Sequence, residues 1–228
     1  MSRNHLLPPA IVFDMDGVLI DSNPFHVRKW MDLLQAHGIP FDPQELPKIV
    51  LGPSNDATFR RFLGEDLTRP QLDALGEELE EDFRREIGPH ARAFPGVRRF
   101  IEDCHAAGIA MAVASAAIAK NVNFIVDALG LREYFRALLT ANEIIHPKPD
   151  PEIYLKAAAR LRVNPSACVV FEDSFVGVEA AKRAGMKCIA IASTFSTEDL
   201  QRETDADLIV PSFETVTLQT VYHLFDGA

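Results

Sequence analysis

The chain has 228 residues, of which 47% are hydrophobic and 25% charged, and it carries a formal net charge of −10. That length buries a large core without disulfides or a structural metal, and the composition is that of an ordinary globular protein. The acidic balance argues against nucleic acid as a partner, because such binding rests on Lys and Arg contacts to phosphate; no stretch is long and apolar enough to span a membrane.

Cys104, Cys168 and Cys188 lie in apolar stretches and read as buried core residues of a reducing compartment. Residues 1–9 contain no long apolar run, so no leader is expected, and the cytoplasm is the expected location. A monomer is expected, with a dimer as the alternative.

Taken in order, the first apolar run is Ala10–Phe13, followed by a long segment without convincing strands. In that segment Asn23-Pro24 marks a helix start, with Trp30, Leu33, Leu34 and His37 at helical spacing before Gly38. Asp42-Pro43 reads as the start of a second helix and Ser54 as the cap of a third. Thr68-Arg69-Pro70-Gln71 fits a capping box ahead of an acidic helix running toward Ile87. Beyond it, apolar runs at 109–114, 137–139, 168–171, 187–191 and 208–210 read as buried parallel strands. Helical patterns at 95–107, 151–161 and 175–184 alternate with them, the last ending at Gly185. The expected fold is α/β: a doubly wound parallel sheet, with an all-helical insert at 23–90 over the C-terminal end of the first strand. Residues 1–22 and 91–228 form the core.

Chemistry-bearing residues sit at the strand ends. Phe13-Asp14-Met15-Asp16-Gly17 places two carboxylates two residues apart where the first strand stops. An ionised carboxylate can act as a nucleophile without a general base, and a second can serve as an acid if its pKa is raised; taken alone, the same Asp-x-Asp-Gly equally fits a plain turn. Ser115 ends the second strand, where a hydroxyl and free N–H groups, including that of Ala116, can hold phosphate oxygens. Lys148 lies between Pro147 and Pro149, which hold its backbone extended. Glu172-Asp173 closes a strongly apolar strand and offers hard oxygens to Mg²⁺. Because the chain repels phosphate at long range, phosphate chemistry here needs a local cation.

Asp14-Met15-Asp16-Gly17, Ser115, Lys148-Pro149-Asp150-Pro151 and Glu172-Asp173-Ser174 through Ala181 together resemble the motifs of the haloacid dehalogenase-like hydrolases, over nearly the whole chain. The resemblance implies that Asp14 is the nucleophile and a Mg²⁺ ligand. Asp16 is then the general acid/base, offering its carbonyl to the metal, and Ser115 and Lys148 bind the phosphoryl group. Asp173 is a further ligand, with Glu172 as ligand or support. The helical insert is similar to that family's cap.

Asp21-Ser22-Asn23-Pro24-Phe25-His26 is similar to the β-phosphoglucomutase-like subgroup, in whose mutases the matching histidine couples cap closure to catalysis. The cap loop departs from the mutases: Leu51 and Asn55 stand where they carry Lys and Arg, around Gly52-Pro53-Ser54. Ala117 and Ala119 replace Ser and Asn. Hydrolysis of a small phosphorylated metabolite, a sugar or polyol phosphate, is therefore expected, with a phosphomutase as the alternative. Arg28, Lys29 or Lys48 would have to supply the mutase's missing cations. A phosphonate hydrolase using Lys48 and an inactive phosphometabolite-binding module are further readings. Ser54, Asn55 and His26 are the candidate substrate contacts of the insert.

Overall fold

The computed structural model describes residues 10–51 and 53–225. The leader-free reading of residues 1–9 and the Gly52 of the cap loop fall outside them.

Six short strands form one parallel sheet: β1 (Ala10–Phe13), β2 (Met111–Ala114), β3 (Ala137–Leu139), β4 (Cys168–Glu172), β5 (Lys187–Ile191) and β6 (Leu208–Val210). Their spatial order is β3-β2-β1-β4-β5-β6. The register runs Phe13 beside Val113 on one side and Phe171 on the other, so the strands end level. From β1 the chain first builds outward through β2 and β3, then returns to add β4 on the other side. That reversal at β1 opens a crevice above the strand ends.

The two faces of the sheet are packed differently. On one face Ile11, Phe13, Val113, Phe171 and Ile189 meet α5 (Val97–Ala106) and α10 (Leu218–His223). There Phe13 stacks on Phe171 with centroids 5.3 Å apart, and Phe100 and Phe213 close the cluster. On the other face several strand residues are small, Ala10, Ala112, Ala114 and Ala190, beside the larger Val12, Val170 and Leu139. Small side chains let α7 (Glu152–Leu161) and α8 (Phe175–Arg183) approach closely with their own alanines, Ala157, Ala158, Ala180 and Ala181. The three cysteines are buried and free. Burial pushes the Cys104 thiol up to about 12 and that of Cys168 up to about 11.

Between β1 and α5 stand four helices: α1 (Asn23–Ala36), α2 (Leu46–Val50), α3 (Asn55–Leu63) and α4 (Arg69–Ile87). They share an apolar cluster of their own around Trp30, Leu34, Phe59 and Leu72, with Trp30 and Phe59 centroids 4.8 Å apart. Gly38 ends α1 at φ +66, the left-handed region glycine favours. Ser54 caps α3 by accepting from Ala57 N–H, and Thr68 N–H donates to Gln71 Oε1 at 2.9 Å. One expectation is corrected. α2 begins at Leu46 rather than at Asp42, because Asp42 Oδ1 accepts from Gln44 N–H at 2.8 Å and holds a turn there. The C-terminal end of α4 also belongs to the sheet's core: Phe83 and Ile87 pack in the main cluster. The two chain crossings into and out of the helical insert run side by side, with Ile20 bridging to Ala93 and Phe94 N–H donating to Leu19 O at 3.1 Å.

Further helices, α6 (Ala119–Ala128) and α9 (Thr197–Glu203), follow β2 and β5. The sequence reading named neither.

Candidate active site

The crevice above the strand ends is a cavity of about 490 Å³. Asp14, Asp16, His26, Ser54, Asn55, Ser115, Ala116, Lys148 and Asp173 all line it, so the structure brings together every expected contact except Glu172.

Asp14 follows the last residue of β1, and its N–H donates to Phe171 O at 3.0 Å. Its Oδ1 accepts from Lys148 Nζ at 2.6 Å. Lys148 is 8% exposed and also donates to Glu172 Oε1 at 2.7 Å. Burial pushes the Asp14 carboxyl up to about 7, against the pull of Lys148, and the charges on Glu172 and Asp16 add to the rise. Burial works against the Lys148 ammonium as well, but Asp14 and Glu172 hold its pKa above the ordinary value.

Glu172 is fully buried, behind the cavity wall. Beyond Lys148, it accepts from Tyr154 Oη at 2.7 Å and from the N–H groups of Asp173 and Ser174 at 2.9 and 3.0 Å. Burial opposes its charge, but Lys148 and these donors hold its pKa low. Of the two roles expected of Glu172, ligand or support, these contacts favour support: it positions Lys148 and the start of α8. Gly177 makes room for it, since a Cβ there would sit 1.8 Å from Glu172 Oε1.

Asp173 faces the cavity. Its Oδ2 accepts from Thr194 Oγ1 and, at 3.1 Å, from Asn23 Nδ2. Burial pushes its carboxyl well above the ordinary range, reinforced by the charges of Glu172 and Asp14. Gly17, at φ +77, passes so close that a Cβ would lie 1.9 Å from Asp173 Oδ2. Asp14, Glu172 and Asp173 therefore crowd one buried lysine. Among the described residues no three His, Cys, Asp or Glu side chains converge as a metal cage. Of the four expected carboxylates, Asp14, Asp16 and Asp173 line the cavity; the Asp16 side chain is taken up by Ser22 and His26, which leaves the Asp14 and Asp173 carboxylates as side-chain donors. That donor set fits Mg²⁺, which takes one or two carboxylates and keeps several waters.

Asp16 turns to the insert. Its Oδ1 accepts from Ser22 Oγ at 2.5 Å and meets His26 Nε2 at 3.3 Å. A carboxyl acting alone as general acid would need a raised pKa, and Asp16 does not meet that condition. Burial opposes the charge of Asp16, but the hydrogen bond and charge of His26 and the Ser22 hydroxyl hold its carboxyl below the ordinary value. His26 in turn is raised above 6.5: burial works against it, and Asp16 outweighs burial. The imidazole stacks on Phe83 with centroids 4.1 Å apart.

Ser115 is buried, and its Oγ accepts from Ala117 N–H at 3.0 Å. Of the cations considered for a distal phosphate, none lines this cavity. Lys29 pairs with Glu86 at 2.5 Å, Lys48 is exposed and pairs with Glu45 at 2.9 Å, and Arg28 lines a neighbouring cleft. Lys48, whose pKa Glu45 raises, does not line the cavity, where the phosphonate reading would need it for a Schiff base. The sequence reading missed Thr194, Tyr154, Glu80 and Arg69. Thr194 and Tyr154 reach the site through tertiary packing, with no local motif to reveal them.

The model of the haloacid dehalogenase-like hydrolases matches residues 8–185. The chain belongs to that family. It is similar to the fructose-1-phosphate phosphatase YqaB of Escherichia coli, 33% identical over 80% of this chain and 95% of the relative. It is also similar to hexitol phosphatase B of the same organism, 33% identical over 83% and 86%. The fold is shared with a β-phosphoglucomutase from Clostridium difficile, with a TM-score of 0.84 and 24% identity over 96% and 97%. These relatives support a phosphatase within the haloacid dehalogenase-like family.

Proposed function

We propose that the chain is a Mg²⁺-dependent phosphatase that hydrolyses a sugar or polyol phosphate through an aspartyl-phosphate on Asp14. The observation that carries this reading is the meeting of Asp14 with Ser115, Lys148 and Asp173 in one cavity, under a helical insert that reaches in through His26. Mg²⁺, held by Asp14, Asp173 and the Asp16 carbonyl, would supply positive charge that offsets repulsion between the nucleophile and a phosphate dianion.

Asp14 attacks phosphorus as the bond to the leaving oxygen breaks. Lys148 offsets charge on the phosphoryl oxygens, and Ser115 with the Ala116 N–H holds them. The leaving alkoxide takes the one dissociable proton of the His26–Asp16 pair, which passes from the charged His26 through the Asp16 carboxylate. Asp16 then accepts a proton from the water that attacks the aspartyl-phosphate, releasing inorganic phosphate and restoring Asp14. Glu172 and Tyr154 hold Lys148 in place.

Residues 23–90 act as a lid, hinged on the paired crossings at Ile20 and Ala93, with His26 linking lid motion to Asp16. The compartment is the cytoplasm and the working unit a monomer. The deciding assay supplies monophosphate esters with Mg²⁺ and measures free phosphate, together with conversion of β-glucose 1-phosphate to glucose 6-phosphate in the presence of glucose 1,6-bisphosphate. Steady phosphate release with little isomerisation supports hydrolysis; rapid isomerisation with negligible free phosphate overturns it in favour of a mutase.

A further inference from the structure

A carboxylate is an unexpected lining for a cavity that takes phosphate. Glu80, on α4, is 6% exposed and lines the end of the cavity formed by the insert. Both of its oxygens are engaged. Oε1 accepts from Asn55 Nδ2 at 2.5 Å, and Oε2 accepts from Asn121 Nδ2 on α6. Asn121 is fully buried, and its Oδ1 accepts from Arg84 Nη1 at 2.6 Å.

The orientation of both amides is dictated by chemistry. An ionised carboxylate only accepts and a guanidinium only donates, so Asn121 must give its NH₂ to Glu80 and its oxygen to Arg84. Asn55 must likewise give its NH₂ to Glu80. What remains of Asn55 for a bound molecule is chiefly its carbonyl oxygen, an acceptor. The insert's wall of the cavity therefore presents acceptors and negative charge. Cations lining the cavity do not reverse this: Lys148 pairs with Asp14, His26 with Asp16, and Arg69 with Asp56 and Asp73.

We propose that Glu80 determines substrate choice: through Asn55 it presents hydrogen-bond acceptors to the non-phosphorylated end of the substrate, selecting a monophosphate with a neutral, hydroxyl-bearing tail and rejecting one with a second phosphate. Hydroxyls donate to such a wall. A second phosphate dianion has only acceptors to offer and meets a fixed carboxylate in a confined site. The inference rests on the phosphatase reading and adds to it a specificity-determining residue.

The test compares kcat/KM for phosphate release from glucose 6-phosphate and from glucose 1,6-bisphosphate, using the full chain with Mg²⁺. Glu80→Gln removes the charge and puts an NH₂ where one asparagine now donates, which turns Asn55 to show its own NH₂ to the cavity. The preference for monophosphate over bisphosphate should fall at least tenfold, mainly through a lower KM for the bisphosphate. Asn55→Leu, at a half-buried position, keeps the Glu80 charge and removes the acceptor. It should raise KM for a hexitol phosphate at least fivefold while the rejection of bisphosphate persists. If the wild-type chain hydrolyses the monophosphate and neither variant shifts its ratio beyond threefold, the role of Glu80 is overturned alone. If the wild-type chain hydrolyses neither ester, the phosphatase reading falls and this inference with it.

Discussion

Gly177→Ala is the smallest change that tests the arrangement behind the cavity wall. The added methyl carbon would lie 1.8 Å from Glu172 Oε1, 1.9 Å from Cδ and 2.3 Å from Oε2. Glu172 cannot step aside cheaply, because Lys148, Tyr154, Ser174 and two backbone N–H groups hold it in a fully buried pocket. Overpacking costs about 1–3 kcal/mol. Loosening one or two hydrogen bonds to a charged group adds about 1.5–3 kcal/mol each, while the alanine returns about 1 kcal/mol of helix propensity. The net destabilisation is about 3 kcal/mol, which for a chain of this size lowers Tm by roughly 6–12 °C. Gly76→Ala is the control. It also lies within a helix, a Cβ there meets nothing within 4 Å, and its backbone is not left-handed, so stability should rise by about 0.5–1 kcal/mol. Urea unfolding followed by far-ultraviolet circular dichroism reads both signs. Loss at Gly177 should also lower kcat, since Lys148 loses its second anchor. A Gly177→Ala chain as stable as wild type would show that Glu172 is not fixed as described.

Asp14→Asn should reduce phosphate release to background with Tm unchanged or higher, because it removes a carboxylate whose burial raises its pKa to about 7; turnover at the wild-type rate would rule out the nucleophile. Chelation should abolish turnover and Mg²⁺ should restore it, with Ca²⁺ a poor substitute. His26 titrates above 6.5 in the folded chain, so its stabilising contact with Asp16 is complete below about 6.5 and is lost as pH rises through the folded value. His26→Gln should therefore cost about 1–2 kcal/mol more at pH 6 than at pH 9, and equal losses at both would show that only the Phe83 stack matters. Leu51→Lys with Asn55→Arg should tighten binding of glucose 1,6-bisphosphate, measured by calorimetry, without by itself making a mutase.

The strands were legible because a doubly covered parallel sheet needs continuous apolar runs, and five of the six begin where the run begins; only β2 starts later, at Met111. Residues carried by short local motifs were legible as well, since a strand end fixes where Asp14, Ser115 and Asp173 must lie. What escaped was non-local. The N-terminus of α6 carries no capping residue of its own: Ala119 N–H donates to Asn142 Oδ1 at 2.7 Å, from a loop beyond β3. Thr194 reaches Asp173 from the far end of β5, and Tyr154 reaches Glu172 from within α7. The direction of the Asp16 pKa depends on His26, ten residues away, turning back across the insert. Glu80 sits in a run of acidic residues that reads as a solvated helix face, and the packing of α4 against α3 and α6 buries it.

The same charges that make the chain repel phosphate also explain its expected need for a cation at the point of reaction. Lys148 balances one of the three buried carboxylates around it, and burial with mutual repulsion pushes two of them, Asp14 and Asp173, toward the protonated form. A protonated Asp14 is a poor nucleophile. A divalent cation held by Asp14 and Asp173, as proposed, would favour their ionised forms and offset the negative field that a phosphate dianion meets. On the proposed reading, metal, nucleophile and substrate thus depend on one another, and loss of the ion should depress both binding and chemistry rather than either alone.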